Sequence, residues 1–559
     1  MIVLGVANSK DSGACLMVDG RLVTAINEER LSRKKLTKEF PYRSIDWILQ
    51  RHGITIRDVD AIGTGVWKGI DSWRMFPQFL SESLDASGRE PAARTAIEER
   101  LKSSVQSDLR QSIEMQRGLD KIGASEARLF RCGHHHAHAI TAFHFSHYDR
   151  ALVITLDGRG DFCSGSVSQM SRTAPPNLLR LETEFNSLGV FYGWITRFLG
   201  FTPDRHEGKV TGLAAVGDPA KCRHVLRRMI RGDNGRILAN VGNNYRPYAT
   251  AVLPSIEIEL RAFSKEDIAA AAQELLEDIV TNYVSYYLKE TGESFLCLSG
   301  GIFANVLLNM RLKDLPGVEG VFVYPHMGDG GIAAGGAAYA TLKLGGDVLP
   351  LSSAYLGPDY SVEKCAEQIT KYGFSATPVA NFAEFVAQDL YDGRIVGFFS
   401  GRMEYGPRSL GARSILASAT DASINRSLNA RLSRTEFMPF APVTLEEEAE
   451  KRYIGWNPDH VNAQFMTSCY ECTSLMIDEA PAVVHVDGTA RPQIVSSERN
   501  GVYYEVLQAY FRKSGIPTLI NTSFNRHEEP IICTPSEAIE EFVSGSVDTL
   551  AIYPFVLTR

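Results

Sequence analysis

Two stretches of the chain share one pattern of short apolar runs separated by polar turns. The first stretch begins at the N-terminus and reads IVLGV, the turn NSKDSG, ACLMV, the turn DGR and LVTAI. The second, ALVITLDGRGDFCSGSVSQM, starts with a run of strand length, passes through an Asp-Gly turn and continues into a strand of small residues. Runs of this kind predict β-strands. The repetition therefore predicts a domain built from two related halves.

Helical patterns lie between and after these strands. The segment SKEDIAAAAQELLEDIVTNYVSYYL begins with a capping pattern at Ser264 and Asp267 and has apolar residues at helical spacing. The segments FLCLSGG and VFVYPHMGDGG each read as a buried strand that ends in glycines, and a helix follows each of them. Strands that alternate with helices predict the α/β class.

A segment rich in Gly, Pro and Ser, LGGDVLPLSSAYLGPDYS, interrupts the pattern around residues 343–360. Because 559 residues are too many for one hydrophobic core, we place a domain boundary there. The expected domains are residues 1–350 and residues 351–559, and the second is also α/β. It contains the motif FFSGRMEYGPRSLGARSILA and ends in a helix that starts with a capping box at Thr534 and Glu537.

Composition and charge exclude several classes of partner. The net charge is −8 and there is no basic block, so a nucleic-acid partner is not expected. The nine cysteines are scattered and odd in number, which favours reduced thiols. No apolar run is long enough to cross a bilayer, and the N-terminus lacks a leader pattern. We therefore expect a cytoplasmic protein that does not bind a membrane.

Histidines are concentrated in RCGHHHAHA, where His134 and His138 are four residues apart. On a helix both would project from one face and could bind one metal. A polar helix face, or a histidine hydrogen-bonded in the core, fits the spacing equally well. Asp157 in LDGRGD and Asp329 in MGDGG follow predicted strands and could complete a site. Mixed nitrogen and oxygen ligands suit iron, manganese or zinc better than calcium.

Anion-binding features occur in both predicted domains. The glycine-rich turns LDGRG, LSGGIFAN and MGDGG could present backbone N–H groups to phosphates, although each one alone also fits a structural turn. In the second domain, arginines among Gly, Pro and Ser could bind phosphate or carboxylate, or could be paired or solvated. These are Arg402, Arg408, Arg413, Arg434 and Arg491. Asn521, Thr522 and Ser523 form a polar turn after the strand TLI.

Seven motifs in one order make the chain resemble a known family. They are HHHAHA, LDGRGD, EGKVTGLAAVG, SGGIFANVLLN, GDGGIAAGGAA, GRMEYGPRSLGARSILA and NTSFN. Together they resemble the NodU/CmcH carbamoyltransferase family, which includes the nodulation-factor, cephalosporin and tobramycin O-carbamoyltransferases. The resemblance covers nearly the whole chain. It implies a TsaD-like N-terminal domain of the actin/Hsp70 type, followed by a YrdC-like domain.

The resemblance also implies a reaction in two steps. The YrdC-like domain would join carbamoyl phosphate and ATP into carbamoyl adenylate and release pyrophosphate. The TsaD-like domain would then transfer the carbamoyl group to a hydroxyl of a sugar-containing natural product, an antibiotic or a glycan, and release AMP. Implied cofactors are ATP with Mg²⁺ and one divalent metal, Fe(II), with Mn or Zn as alternatives. Implied partners are a small hydroxylated acceptor, aminoglycoside-like, macrolide-like or glycan, and a second copy of the chain in a homodimer.

Site residues follow from the same resemblance, position by position. The implied metal ligands are His134, His138, Asp157 and Asp329. The implied nucleotide contacts in the first domain are Gly158, Gly160, Lys209, Gly300, Gly301 and Asn305. The residues implied to bind carbamoyl phosphate or ATP phosphates in the second domain are Arg408, Arg413, Arg491 and Ser523. His135 and His136 are expected to support the ligands or to pack.

The chain departs from the family pattern in three places. Where members commonly have His-Asp in the first turn, with the His a candidate base, this chain has Lys10-Asp11. A neutral Lys10 could act as base only if desolvated or beside another cation, and Asp11 is the alternative. Leu36 replaces a frequent His. Met438 replaces a usual Arg, whose phosphate contact could come from Arg434 or Arg431.

Two other functions fit parts of the pattern. A TsaD- or HypF-like protein would carbamoylate a macromolecule such as tRNA or a protein cysteine, but the chain has no acylphosphatase or zinc-finger module and no basic face. A nucleotide-binding regulator could retain the fold without catalysis, but it would have little need of all four metal positions. An O-carbamoyltransferase is therefore the leading prediction.

Overall fold

The structure is a computed structural model that describes residues 1–65, 75–124, 128–433 and 438–559. The chain forms two compact units. Unit 1 consists of Met1–Val23 and Lys38–Leu351, and unit 2 consists of Thr24–Thr37 and Ser352–Arg559. None of the helices in these described ranges combines the length and the apolar character that crossing a membrane requires.

The first half of unit 1 is organised around a five-stranded sheet. Its elements, together with the adjoining helix that belongs to unit 2, are β1 (Ile2–Ala7), β2 (Gly13–Val18), β3 (Arg21–Asn27), α1 (Glu28–Ser32), α2 (Tyr42–His52), β4 (Ala61–Thr64), α3 (Phe76–Ala86), α4 (Pro91–Lys121) and β5 (Leu129–Arg131). The strand order is β3-β2-β1-β4-β5. Strand β1 is antiparallel to β2 and parallel to β4, which is parallel to β5.

The second half of unit 1 has a sheet of the same size. The elements are α5 (His134–His144), β6 (Arg150–Gly160), β7 (Cys163–Ser171), β8 (Asn177–Thr183), α6 (Leu188–Phe198), α7 (Glu207–Ala214), α8 (Arg223–Leu226), β9 (Ile230–Asp233), β10 (Arg236–Ala239), α9 (Pro254–Leu260), α10 (Lys265–Thr291), β11 (Phe295–Ser299), α11 (Val306–Lys313), β12 (Gly320–Val323) and α12 (Ile332–Lys343). The strand order is β8-β7-β6-β11-β12, and β9 and β10 form a separate two-stranded sheet.

The two halves of unit 1 repeat one topology. In each sheet the first strand lies in the middle, next to an antiparallel second strand on one side and a parallel fourth strand on the other. The predicted α/β class and the two related halves are therefore confirmed, in the arrangement expected of an actin/Hsp70-like, TsaD-like domain. The predicted helix cap at Ser264 is also present, because its hydroxyl accepts a hydrogen bond from the Asp267 N–H at 3.1 Å.

Unit 2 is built on one seven-stranded mixed sheet, which confirms its predicted α/β class. Its elements are α13 (Val362–Lys371), α14 (Phe382–Tyr391), β13 (Val396–Phe399), β14 (Arg413–Ser418), α15 (Ile424–Arg431), β15 (Ala441–Leu445), α16 (Glu446–Ala449), β16 (Tyr470–Glu471), α17 (Ser474–Glu479), β17 (Thr489–Ala490), β18 (Gln493–Val495), α18 (Ser497–Ser514), β19 (Thr518–Ser523), α19 (Pro535–Ser544), β20 (Thr549–Ile552) and β21 (Phe555–Thr558). The strand order is β18-β15-β19-β14-β13-β20-β21. Thr534 and Glu537 form the predicted capping box of α19.

The segment Thr24–Thr37 belongs to unit 2, which the sequence did not predict. Two arginines in it bind backbone carbonyls of the same unit. Arg33 donates to the carbonyls of Pro530 and Ile531, each at 2.8 Å, and Arg30 donates to the Gly406 carbonyl at 3.0 Å. These contacts depend on residues more than 370 positions apart, and no local pattern encodes them.

Helix α12 approaches its neighbours in unit 1 at two adjacent glycines. A Cβ on Gly336 would lie 2.6 Å from Thr64 of β4, and a Cβ on Gly335 would lie 2.4 Å from the Ala137 carbonyl oxygen in α5. Real Cβ atoms do not approach backbone atoms so closely, because packed interiors have no free volume at such contacts. Gly335 and Gly336 therefore allow α12 to lie close to β4 and to α5, the helix that carries the clustered histidines.

We predict that Gly335→Ala destabilises the protein, because the added methyl group must push α12 away from α5. The expected loss is about 1–3 kcal/mol of unfolding free energy, measured by urea denaturation. Gly208→Ala in α7 is the control, since a Cβ there meets no described atom within 4 Å and alanine favours a helix. Equal stability of Gly335→Ala and the wild type would contradict the packing argument.

Candidate metal and anion sites

Four side chains predicted as metal ligands lie together in unit 1. The ligand atoms of His134, His138, Asp157 and Asp329 all lie within 4.8 Å of one another. The His134 Nε2 atom is 3.2 Å from Asp157 Oδ2 and 3.6 Å from Asp329 Oδ1. The His138 Nε2 atom is 3.5 Å from Asp157 Oδ2 and 3.8 Å from Asp329 Oδ1. Two imidazoles and two carboxylates thus converge on one point.

Local structure explains why the two histidines face this point. Helix α5 begins at His134, so the spacing of four places His138 one turn further along the same face. Asp161 accepts a hydrogen bond from the His134 backbone N–H at 2.7 Å, which satisfies one of the free N–H groups at the helix start. Asp161 is not among the residues predicted from the sequence, although its carboxylate in the LDGRGD turn was a visible signal.

Ser299, at the end of β11, orients the His138 ring. Its hydroxyl is 3.0 Å from His138 Nδ1, so Nε2 is the nitrogen directed at the two carboxylates. His138 is 1% exposed, and its Nε2 makes no well-formed hydrogen bond with any described residue. A buried imidazole nitrogen that faces carboxylates in this way is suited to a cation. The donor set therefore fits a divalent metal such as iron, manganese or zinc.

Electrostatics of the cluster favour a bound cation. Burial alone would lower the pKa of His138, but the Asp157 and Asp329 carboxylates outweigh it and raise this pKa to about 9. Burial would raise the pKa of Asp157, but its contacts with the two imidazoles hold that pKa well below its ordinary range. For Asp329, burial and the negative charge of Asp157 raise the pKa. The two carboxylates thus share the positive charge of the same imidazoles, which favours an added cation between them.

The structure shows the surroundings of each glycine that was predicted to contact nucleotide. A Cβ on Gly160 would lie 2.0 Å from the His134 ring, so this glycine makes room for a candidate ligand. Gly301 donates its N–H to Asp157 Oδ1 at 3.1 Å, and Gly300 has a φ of +105° and donates to the Met327 carbonyl. A Cβ on Gly158 would meet no described atom within 4 Å. Their contacts with nucleotide stay predictions.

Lys209 and Asn305 occupy two different settings. Lys209 is buried on α7, which packs against α10. Asn305 caps α11, since its Oδ1 accepts from the Leu308 N–H at 3.1 Å, and its Nδ2 donates to Gln273 Oε1 at 2.8 Å. The Asn305 amide is thus engaged in structural contacts, and nucleotide binding by either residue stays a prediction.

The first turn places Lys10 and Asp11 in contrasting environments. Lys10 forms an ion pair with Asp204 at 2.6 Å. This contact engages the Lys10 Nζ atom and argues against Lys10 as the base. Asp11 has a φ of +61°, and its Oδ2 is 3.6 Å from Nε2 of His326, a residue that is 3% exposed. Sequence analysis did not identify His326, because its neighbour Asp11 is more than 300 positions away.

Unit 2 contains two arginines in surroundings that suit an anion. Burial lowers the pKa of Arg491, and the opposing influence comes from the Cys469 thiol rather than from a carboxylate. Its Nε has no hydrogen-bond partner among the described residues. Burial, and then the positive charge of Arg491, lower the pKa of Arg408. Two neighbouring guanidinium groups repel each other, so a bound anion would relieve the repulsion.

Arg413 differs from these two arginines. It is 0% exposed, and its guanidinium donates to backbone carbonyls of five residues and lies 3.6 Å above the Phe399 ring. The five acceptors are Pro358, Ser400, Gly401, Ala412 and Cys533. These contacts favour a structural role for Arg413, because carbonyl oxygens already accept from all three guanidinium nitrogens. Phosphate binding by Arg413 stays a prediction.

The remaining predicted positions in unit 2 are Ser523, Arg431 and Arg434. The two arginines were considered as sources of the phosphate contact that is lost where Met438 replaces the family's usual Arg. Ser523 ends β19 opposite Ser414 of β14. Arg431 forms an ion pair with Asp548 at 2.6 Å, which favours a structural role. Arg434 lies outside the described residues. Phosphate binding by Ser523 stays a prediction.

Family models match both parts of the chain. The model described as the carbamoyltransferase N-terminus matches residues 2–338, and the carbamoyltransferase C-terminus model matches residues 387–559. The chain belongs to the carbamoyltransferase family, and it is a transferase. The resemblance found in the sequence motifs is confirmed.

Individual relatives extend this result. Nodulation protein NolNO of Sinorhizobium fredii is 31% identical over 563 residues, which cover 98% of this chain and 79% of that protein. Nodulation protein NolO of Bradyrhizobium diazoefficiens is 34% identical over 438 residues, covering 76% of this chain and 78% of that protein. Among solved structures, component A of (R)-2-hydroxyglutaryl-CoA dehydratase from Acidaminococcus fermentans covers 62% of this chain and 99% of its own, at 15% identity and a TM-score of 0.35. That TM-score supports no conclusion about this chain.

We predict that Gly160→Ala weakens metal binding by about ten- to a hundredfold, because its Cβ displaces the His134 ring. Gly158→Ala is the matched control from the same turn and should bind metal like the wild type. Isothermal titration of the metal-free proteins with Mn²⁺ measures both affinities. Equal affinities of the two variants would contradict the assigned position of His134.

Proposed function

We propose that the protein is an ATP-dependent O-carbamoyltransferase that acts in two steps on a small hydroxylated acceptor. The main support is the presence of two chemically different sites. Unit 1 brings two histidines and two aspartates together, whereas unit 2 places Arg408 close enough to Arg491 to be influenced by its charge, and no carboxylate of the described residues offsets the charge of Arg491. One site suits a divalent metal and the other suits phosphate groups.

The first step makes carbamoyl adenylate in unit 2. Water first hydrolyses carbamoyl phosphate to carbamate and phosphate. An oxygen of the carbamate then attacks the α-phosphorus of ATP. Pyrophosphate then leaves. Arg408 and Arg491 neutralise phosphate charge as this bond breaks, which guanidinium groups do well because they donate two hydrogen bonds in one plane. ATP enters with Mg²⁺.

The second step transfers the carbamoyl group in unit 1. The acceptor hydroxyl oxygen attacks the carbamoyl carbon, the bond to the AMP oxygen breaks, and AMP leaves. His134, His138, Asp157 and Asp329 would hold a divalent metal, Fe(II) or alternatively Mn or Zn, which when bound polarises a carbonyl or neutralises phosphate charge.

The acceptor proton needs a base near this site. Asp11 suits that role better than Lys10, because the Lys10 Nζ atom is already engaged by Asp204 at 2.6 Å. His326 Nε2 lies 3.6 Å from Asp11 Oδ2. The acceptor class, a sugar, an aminoglycoside-like or macrolide-like compound or a glycan, comes from the sequence resemblance.

We predict that the protein releases pyrophosphate from carbamoyl phosphate and ATP. Arg491→Ala should slow this release about a hundredfold, because it removes charge stabilisation of the leaving phosphates. His134→Ala should keep the release and lose the transfer, seen by mass spectrometry as the gain of one carbamoyl group by a panel of hydroxylated acceptors. The release is measured with a coupled pyrophosphatase assay.

Arg512→Ala serves as the control, since Arg512 is 56% exposed and paired with Glu384 at 2.5 Å. It should release pyrophosphate at the wild-type rate. No pyrophosphate from well-folded wild-type protein would contradict the two-step reaction. Equal loss of both steps in His134→Ala would contradict the assignment of one step to each site.

A further inference from the structure

The two arginines of the anion site lie on separate segments of unit 2. Arg408 belongs to the connection between β13 and β14, and Arg491 lies between β17 and β18. Among the described residues, Arg491 Nε has no hydrogen-bond partner. Hydrogen bonds made by neighbouring residues join the two segments.

A buried pair of amides joins the two segments. Asn521 is 2% exposed and Gln493 is 1% exposed. Asn521 Nδ2 donates to Gln493 Oε1 at 2.7 Å and to the Ser409 carbonyl at 3.1 Å. Gln493 Nε2 donates to the Leu410 carbonyl at 2.6 Å. The pair thus binds the two residues that follow Arg408, and Gln493 itself is two residues after Arg491.

These contacts define the orientation of both amides. The two N–H groups of Asn521 point at oxygens, so a flipped amide would place its oxygen against the oxygens of Gln493 and Ser409. The Gln493 amide is oriented likewise by Leu410, whose carbonyl also accepts from Tyr355 Oη at 2.6 Å. Each of the two amides can therefore form these hydrogen bonds in one orientation.

Sheet register explains how residues on different strands can meet. Asn521 of β19 lies opposite Ala441 of β15, and Gln493 of β18 lies opposite Val443 of β15. Residues two apart on a strand share a face, so both amides lie on one side of β15.

We propose that the Asn521–Gln493 pair is a positioning element that holds the segments of Arg408 and Arg491 at the spacing needed for both arginines to bind one phosphate-containing anion. Neither amide touches the anion. The inference rests on the proposed function for the identity of the anion. Because buried polar groups are costly to leave without partners, loss of one amide should shift the segments rather than leave them in place.

Binding of inorganic pyrophosphate to the full-length protein, measured by isothermal titration, tests the proposal. Asn521→Leu removes both donated hydrogen bonds at similar volume, and we expect its affinity to fall about ten- to a hundredfold. Asn521→Ser keeps one donor and is the milder variant in case the first does not fold; its affinity should fall by less. Asn425→Leu is the control, because Asn425 donates to the Ala482 carbonyl at 2.9 Å, and its affinity should stay unchanged.

A coupling measurement separates positioning from a general loss of structure. In an Arg491→Ala background, Asn521→Leu should reduce pyrophosphate affinity by less than about twofold, because only one arginine remains to be positioned. An unchanged affinity of a folded Asn521 variant, or a full additional loss in that background, would overturn the proposal. Wild-type protein that binds no pyrophosphate would instead overturn the anion site itself, and with it the first step of the proposed function.

Discussion

The Asp157 carboxylate is the contact on which the site in unit 1 depends. One oxygen, Oδ2, lies 3.2 Å from His134 Nε2 and 3.5 Å from His138 Nε2, and the other accepts from the Gly301 N–H at 3.1 Å. The Asp157 backbone oxygen accepts from the Ser187 hydroxyl, which also caps α6. One residue at the end of β6 thus joins the histidine helix, the turn after β11 and the start of α6. Movement of any of these elements changes the geometry of the four ligands.

Unit 2 shows how surroundings decide the role of an arginine. Arg408 and Arg413 belong to one motif, yet Arg413 is enclosed by carbonyl oxygens, while burial and then the positive charge of Arg491 lower the pKa of Arg408. An arginine whose N–H groups are already hydrogen-bonded to carbonyl oxygens stabilises a loop. Two guanidinium groups that repel each other instead favour the binding of an anion. The buried amides Asn521 and Gln493 bond to the two residues that follow Arg408 and connect that segment to the sheet.

Local patterns were sufficient to predict much of this molecule. The i, i+4 spacing of His134 and His138 and the strand-end positions of Asp157 and Asp329 are visible in the sequence, and so are the α/β class and the two halves of unit 1. Contacts between distant positions could not be predicted. The pairing of Lys10 with Asp204 and the steric role of Gly160 require the folded chain. Ordered motifs identify a family, but they do not distinguish an arginine that binds substrate from one that holds a loop.

We propose that four side chains of unit 1 hold one divalent metal. Anomalous X-ray diffraction at the iron, manganese and zinc absorption edges tests this assignment, on crystals grown from protein purified without chelator and then soaked in each metal. We expect one peak at about 2.0–2.3 Å from the imidazole nitrogens of His134 and His138 and from carboxylate oxygens of Asp157 and Asp329. Four well-ordered side chains with no peak between them at any of the three edges would contradict it.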